Sequence, residues 1–197
     1  MRKKNKIILA SASQRRLCLL NQIGLHPSKT LSPNINESAI KYKSLIKTVR
    51  EIAYKKAEEV RKLNKIENKF IIAADTMVSR AGKIYDKAND CDEVKKFLKE
   101  LSGKKHLVLG GICVISPEGK ISKKVITTEV FFKIISNEEL NTLSLLEDGV
   151  GKAGGYAIQS LGSILVKKIK GSFSNVVGLS LFDVFNMLVG LGWKNSV

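Results

Sequence analysis

Two adjacent arginines near the start of the chain could bind an anion. Arg15 and Arg16 follow Ser13, which is placed to cap the N-terminus of a helix beginning at Gln14. A cation in the first turn of a helix costs a few tenths to roughly 1 kcal/mol, because the free N–H groups already make that end positive. A bound anion would reverse this effect and engage both guanidinium groups. The alternative is that both arginines are solvated surface residues.

An aspartate within a long apolar segment is the best single candidate for catalysis. The segment 70–78 contains Asp75 and Thr76, and its apolar character is typical of a strand buried on both faces. A buried carboxylate is costly unless it is paired or binds a metal. Ligands of open α/β sheets bind at the carboxyl ends of strands, and the pattern predicts such an end at Asp75. The alternative is a carboxylate that caps a local turn.

Two further features could contribute to a site. Lys56 lies at the border of the apolar stripe of a predicted long helix, where it either extends to solvent or points into a site. The stripe consists of Ile46, Val49, Ala53, Ala57 and Val60. The segment 151–156 is so rich in glycine that its backbone could approach a ligand closely.

The hydrophobic patterns predict alternating helices and strands that would position these residues. After the strand 7–10, the helix from Gln14 ends at Gly24, and an edge strand follows within 26–33. A turn at 81–83 leads to a return strand, and the runs 107–116 and 121–134 are predicted to form a second, antiparallel region. The other predicted elements are helices at 90–101, at 136–149 and from Val177, and a strand near 164–169.

Composition limits the class of protein. The chain has 197 residues, 44% of them hydrophobic and 26% charged, which is typical of one soluble globular domain. No apolar run approaches the ~20 residues of a membrane span, and the one after the basic start ends at Ala10, too short for an export signal. Cys18, Cys91 and Cys113 show no metal-ligand spacing, so we expect reduced thiols in a cytoplasmic protein.

The charge is strongly positive and attracts polyanions in general. The sequence has 34 Lys and Arg residues against 18 Asp and Glu residues, a net charge of +16. However, the lysines are scattered, and aromatic residues make up only 6% of the chain, so no stretch is typical of single-strand binding. A basic nucleic-acid-binding module is an alternative that the charge alone does not favour, and we expect no membrane partner.

Several motifs, in order along nearly the whole chain, resemble the Maf-like nucleotide pyrophosphatases. The N-terminal ones are Leu9–Ser13 with Arg15 and Arg16, Glu37, Ala53 with Lys56, Ala74–Thr76 and Lys87. The later ones are Leu101–Gly103 with His106, Thr128–Val130, Lys152–Gln159, Gly171–Ser172 and Asn175–Leu179. The resemblance implies one domain, residues 1–197, with the two-lobed α/β fold shared by Maf and inosine-triphosphatase proteins. That fold has a mixed, twisted sheet flanked by helices and a central cleft.

The resemblance also implies a reaction and a set of residues. Members hydrolyse a nucleoside triphosphate to the monophosphate and pyrophosphate with a divalent cation, Mg²⁺ or Mn²⁺. Asp75 matches the proton acceptor, Glu37 and Asp75 are the expected metal ligands, and Lys56 and Lys87 complete the catalytic set. The matching substrate-binding residues are Ser11, Ser13, Arg15, Arg16, Thr76, Lys152 and Gln159. The form of the segment 152–159 resembles the branch that acts on dTTP and UTP rather than on 7-methyl-GTP.

The chain departs from the family pattern at five positions. Gln14 and Ala88 replace prolines, which loses rigidity but no ligand. Gly151 stands in place of an aspartate, Gly110 in place of a threonine and Ser160 in place of a glycine. These changes make the base preference less secure and leave open a degenerate relative that binds nucleotides without hydrolysing them. Formation of a homodimer also stays open.

Overall fold

The computed structural model describes residues 6–62 and 68–194, and within them six α-helices accompany a seven-stranded sheet. The strands are β1 (Lys6–Leu9), β2 (Lys29–Thr30), β3 (Lys69–Arg80), β4 (Lys83–Tyr85), β5 (Lys105–Ile115), β6 (Ile121–Phe132) and β7 (Val166–Lys170). The helices are α1 (Gln14–Gln22), α2 (Leu45–Arg61), α3 (Cys91–Leu101), α4 (Leu143–Gly149), α5 (Phe173–Val177) and α6 (Leu181–Gly190). None of the described helices is both long and apolar enough to span a membrane.

The sheet mixes parallel and antiparallel pairs, as the predicted fold class requires. Its order is β2-β1-β3-β5-β6-β7, with β4 paired to β3. β1 is parallel to β2 and to β3, whereas β4 is antiparallel to β3 and β7 is antiparallel to β6. The predicted mixed α/β fold is therefore confirmed. The runs predicted to form a second, antiparallel region are β5 and β6, which are neighbours in this same sheet, with β5 next to β3.

The described residues divide into two compact units. The first unit lies within Met1–Asp75, Gly110–Ile126 and Gly178–Val197. The second unit consists of Thr76–Leu109 and Thr127–Val177. The division therefore falls within β3, between Asp75 and Thr76, and the strands β5 and β6 also contribute residues to both units.

The core of the first unit is built from small residues that bring α2 close to the strands. Ala53, Ala57 and Val60 of α2 are completely buried against residues of β1, β3 and β5. A Cβ atom at Gly111 of β5 would lie 2.3 Å from the carbonyl oxygen of Val49, so only glycine allows this approach. The predicted stripe was wrong at Ile46, which is 52% exposed because it lies in the first turn of α2, before the buried face begins.

Several boundaries differ from the predicted ones, although the elements exist. The turn after β3 is confirmed, with positive φ angles at Ala81 and Gly82, and α3 begins after the N-cap Asp90. The predicted helix 136–149 is a short 3₁₀ turn followed by α4, and a 3₁₀ segment at 161–165 precedes β7. The closing helix is divided into α5 and α6 around Gly178, whose φ of 142° is unfavourable for other residues.

A buried histidine–tyrosine pair lies in the second unit. His106 is 1% exposed, and its Nε2 lies 2.8 Å from the hydroxyl of Tyr156, while its Nδ1 is buried and has no hydrogen-bond partner among the described residues. The ring of Phe132 packs edge-on against both side chains. Burial lowers the pKa of His106 from 6.5 to about 4, because the imidazolium form would be desolvated.

This depressed pKa makes the stability of the protein depend on pH. Between pH 6.5 and 4 the unfolded chain binds a proton at His106 that the folded protein does not, so stability decreases as the pH falls through this interval. The loss amounts to about 3 kcal/mol at the acid end. We expect urea titrations at several pH values to show this decrease for the wild type and for the exposed control His26→Gln, and to show a flatter profile for His106→Gln. An unchanged profile in His106→Gln would contradict the assignment.

Candidate active site

The loop between β1 and α1 holds Arg16 in a fixed position. Ser13 caps α1 and its hydroxyl accepts a hydrogen bond from the backbone N–H of Arg16, as the sequence predicted. The buried hydroxyl of Ser11 accepts hydrogen bonds from the N–H of Ser13 at 3.2 Å and from Nη1 of Arg16 at 3.1 Å. Nε of Arg16 donates to the carbonyl oxygen of Gly178 at 2.9 Å. Ser11, near the N-terminus of the chain, and Gly178, near its C-terminus, thus orient the guanidinium.

The arginines share an electrostatic environment with two carboxylates. Desolvation lowers the pKa of Arg16, Asp75 opposes this shift, Arg15 adds to it and Glu37 again opposes it. A partly desolvated guanidinium beside a second cation is stabilised by negative charge, part of which Asp75 and Glu37 already supply. The anion-binding role of the first turn of α1 stays a prediction.

Three side chains of the first unit form an ionic cluster, which we call the Lys56 cluster: Glu37, Lys56 and Asp75. Nζ of Lys56 donates to Oδ1 of Asp75 at 2.7 Å and lies 2.9 Å from Oε1 of Glu37. The side chains of Lys56 and Asp75 are 9% and 10% exposed, while that of Glu37 is 48% exposed. Lys56 therefore does not extend to solvent but points inward to Asp75, and its role in a site stays a prediction.

The position of Asp75 within its strand corrects the sequence prediction. Asp75 is not at the carboxyl end of β3, because the strand continues to Arg80 and pairs there with β4. The parallel partner β1 does stop earlier, since its last residue Leu9 pairs with Ile72. Asp75 thus lies just beyond the carboxyl end of β1, where ligands of parallel strands bind.

The remaining predicted residues lie in the second unit. Thr76 is partly buried in β3, while Lys87 and Gln159 are exposed. Lys87 forms an isolated backbone bridge with Ala153, so the structure brings the segments of Lys87 and Lys152 together. The side chain of Lys152 is partly buried, with Nζ 3.5 Å from the carbonyl oxygen of Val150.

One residue near Lys152 was missed by the sequence analysis. Oδ1 of Asp148 lies 3.8 Å from Nζ of Lys152, and within the part of the chain that the structure describes its buried Oδ2 has no hydrogen-bond partner. The spacing of four residues, which brings side chains together on a helix, was the signal that could have found it. Gly151, which replaces an aspartate of the family pattern, has a φ of 73°, a conformation that favours glycine.

The Lys56 cluster is chemically suited to a hard divalent cation. Oxygens of Glu37 and Asp75 converge on one cationic atom, and carboxylate oxygens are the ligands that Mg²⁺ prefers. Among the described residues no group of three or more His, Cys, Asp and Glu side chains could hold a metal. A Mg²⁺ ion held by two carboxylates commonly completes its shell with water and substrate phosphates.

Comparisons with known proteins show which sequences and folds this chain resembles. A family model described as Maf-like protein matches residues 6–191. A dTTP/UTP pyrophosphatase of Paramagnetospirillum magneticum is 41% identical over 187 residues, covering 95% of this chain and 97% of that protein. A dTTP/UTP pyrophosphatase of Chelativorans is 42% identical over 193 residues, covering 96% and 92%. A HAM1 protein from Coxiella burnetii has a similar fold, with a TM-score of 0.51 at 13% identity, covering 94% and 99%.

Proposed function

This chain belongs to the family of Maf-like proteins, as its motifs predicted, and we propose that it hydrolyses nucleoside triphosphates to the monophosphate and pyrophosphate. The observation that carries the proposal is the Lys56 cluster, in which Lys56 and Asp75 are buried, in the same electrostatic environment as the partly buried Arg16. This arrangement combines cations for phosphate oxygens with carboxylates for a metal and a proton. The names of the 41–42% identical relatives support the same reaction.

In the proposed reaction, water attacks the α–β phosphoanhydride, the P–O bond between the α and β phosphates breaks, and pyrophosphate leaves. Asp75 accepts a proton of the attacking water. Arg16, with its fork fixed by Ser11 and Gly178, binds phosphate oxygens together with Arg15. Glu37 and Asp75 would hold the Mg²⁺ or Mn²⁺ ion, which neutralises charge on the phosphates when bound.

Four further predicted residues are part of the proposal. Lys87 and Lys152 contribute positive charge for the triphosphate, and Asp148 restrains the ammonium of Lys152. Thr76 and Gln159 select the base. We place the reaction in the cytoplasm, since Cys18, Cys91 and Cys113 are free thiols of the kind that reducing compartments preserve.

We propose that the site prefers dTTP and UTP. It discriminates against other bases less strongly than a site in which every polar group is matched to one base. Gln159 carries two donors and an acceptor, which match the O4 and N3–H edge of thymine or uracil. Gln159 is exposed, so its amide is loosely held. A loosely held amide can turn to accommodate cytosine, which reverses the donor and acceptor pattern.

We therefore expect CTP to be hydrolysed at a detectable fraction of the rate with dTTP. Gln159→Ala should reduce the ratio of kcat/KM for dTTP over CTP while pyrophosphate release continues. Gln22→Ala, on the exposed end of α1, is the matched control and should leave the ratio unchanged. Rejection of CTP by ~10⁴-fold in the wild type, the level of a fully matched polar site, would contradict this prediction.

The proposed function is tested by pyrophosphate release from a panel of nucleotides. The purified protein is incubated with dTTP, UTP, CTP, dATP, dGTP and 7-methyl-GTP in the presence of Mg²⁺, Mn²⁺ or EDTA. We expect release from the pyrimidine nucleotides, dependent on the metal and abolished by EDTA. Binding of dTTP without release from any nucleotide would instead establish a nucleotide-binding protein without hydrolytic activity.

A further inference from the structure

The Lys56 cluster is assembled around a single cationic atom. Nζ of Lys56 lies within 2.9 Å of one oxygen from each of Glu37 and Asp75, the two carboxylates assigned to the metal. Oε1 of Glu37 and Oδ1 of Asp75 point to this one position, which an ammonium and a divalent metal cannot occupy at the same time. The lysine and the metal therefore compete for it.

We propose that Lys56 is an internal counterion which holds the metal position until substrate arrives, and that the metal displaces it. This inference rests on the proposed function, since it assigns a second role to a residue of that same site. Without a metal, the ammonium compensates two carboxylates of which Asp75 is 90% buried. When the metal–triphosphate complex binds, the metal takes the carboxylates and the ammonium transfers to a phosphate oxygen.

Because of the surroundings of Lys56, binding of metal and nucleotide together is favoured over binding of the metal alone. A metal arriving alone would leave the buried ammonium of Lys56 next to a dication, with Arg16 as a further cation in the same environment. The triphosphate supplies the anionic oxygens that the displaced ammonium needs. The lysine therefore keeps the affinity for the metal alone low, and the nucleotide raises it. Metal and nucleotide binding are thus coupled within one site.

The location of Lys56 on α2 makes the exchange a side-chain movement. Its neighbours Ala53 and Ala57 are completely buried, so the helix itself is fixed against the sheet. Glu37, in contrast, lies in a 3₁₀ turn and is half exposed. Rotation of the long lysine side chain and adjustment of Glu37 are sufficient, and no rearrangement of an element is required.

The test is the affinity of the nucleotide-free protein for Mn²⁺, measured from the electron paramagnetic resonance signal of the free ion. Lys56→Met removes the competing ammonium and should bind Mn²⁺ about tenfold or more tightly than the wild type. In EDTA the same variant should melt about 5 °C or more below the wild type, and Mn²⁺ should restore much of this loss. Lys56→Gln, which keeps a neutral hydrogen-bond donor, should behave likewise if Lys56→Met does not fold.

Lys55→Met is the matched control, since Lys55 is the exposed neighbour on the same helix. It should bind Mn²⁺ as the wild type does. Equal or weaker Mn²⁺ binding in both Lys56 variants would overturn the inference, and so would an equal gain in Lys55→Met, which would indicate a general charge effect. Pyrophosphate release by the wild type in the same preparation separates failure of this inference from failure of the proposed function.

Discussion

Replacing Asp75 with asparagine should lower the rate of pyrophosphate release by about 10²-fold or more, the usual contribution of a general base. Asparagine fits the space of the aspartate but cannot accept the proton of the attacking water. The substitution also removes the negative charge of one of the two carboxylates that pair with the ammonium of Lys56. The measurement is the initial rate with saturating dTTP and Mg²⁺, and kcat should decrease more than KM changes.

The control for this variant is Asp92→Asn, an exposed position in the first turn of α3. It should release pyrophosphate at the wild-type rate. Circular dichroism should show that Asp75→Asn is folded, because Glu37 still pairs with Lys56. Near-normal turnover in a folded Asp75→Asn protein would move the role of proton acceptor to Glu37.

Replacing Arg16 with alanine should weaken binding of the triphosphate by about 1.5–3 kcal/mol, the value of a charge-assisted hydrogen bond. This corresponds to an increase in Kd of about 10–150-fold. The guanidinium is held by Ser11 and by Gly178, so it is already oriented before the nucleotide binds. Arg16→Lys should recover only part of the loss, because an ammonium cannot form both of these contacts and bind a phosphate.

Calorimetric titration with a nucleotide analogue that carries a methylene group between the α and β phosphates measures this effect without turnover. Arg61→Ala is the control, because Arg61 is an exposed residue at the end of α2 that pairs with Glu58 on the same helix. Unchanged affinity in Arg16→Ala, accompanied by a lower melting temperature, would assign Arg16 a structural role between α1 and Gly178.

The local features of the site could be predicted from the sequence because they depend on neighbouring residues. The Ser13 cap places Arg16 in the first turn of α1 by helix geometry alone. The apolar run around Asp75 predicted a buried carboxylate that needs a partner, and the position of Lys56 beside buried alanines suggested a second inward-facing charge. Each of these inferences required only a short stretch of chain.

Features that depend on distant residues could not be predicted in the same way. The carbonyl oxygen of Gly178, which receives Nε of Arg16, is separated from it by 162 residues, and no local pattern marks it. The continuation of β3 beyond Asp75 depends on pairing with β4, which apolar periodicity does not reveal.

The central claim is that the Lys56 cluster and Arg16 direct hydrolysis to the α–β phosphoanhydride of a nucleoside triphosphate. Phosphorus magnetic resonance of the products formed from dTTP and Mg²⁺ tests this most directly. We predict that dTMP and pyrophosphate form in equal amounts, with no orthophosphate, and that Asp75→Asn forms neither at a comparable rate. Formation of dTDP and orthophosphate, or the absence of any product from the folded wild-type protein, would contradict the claim.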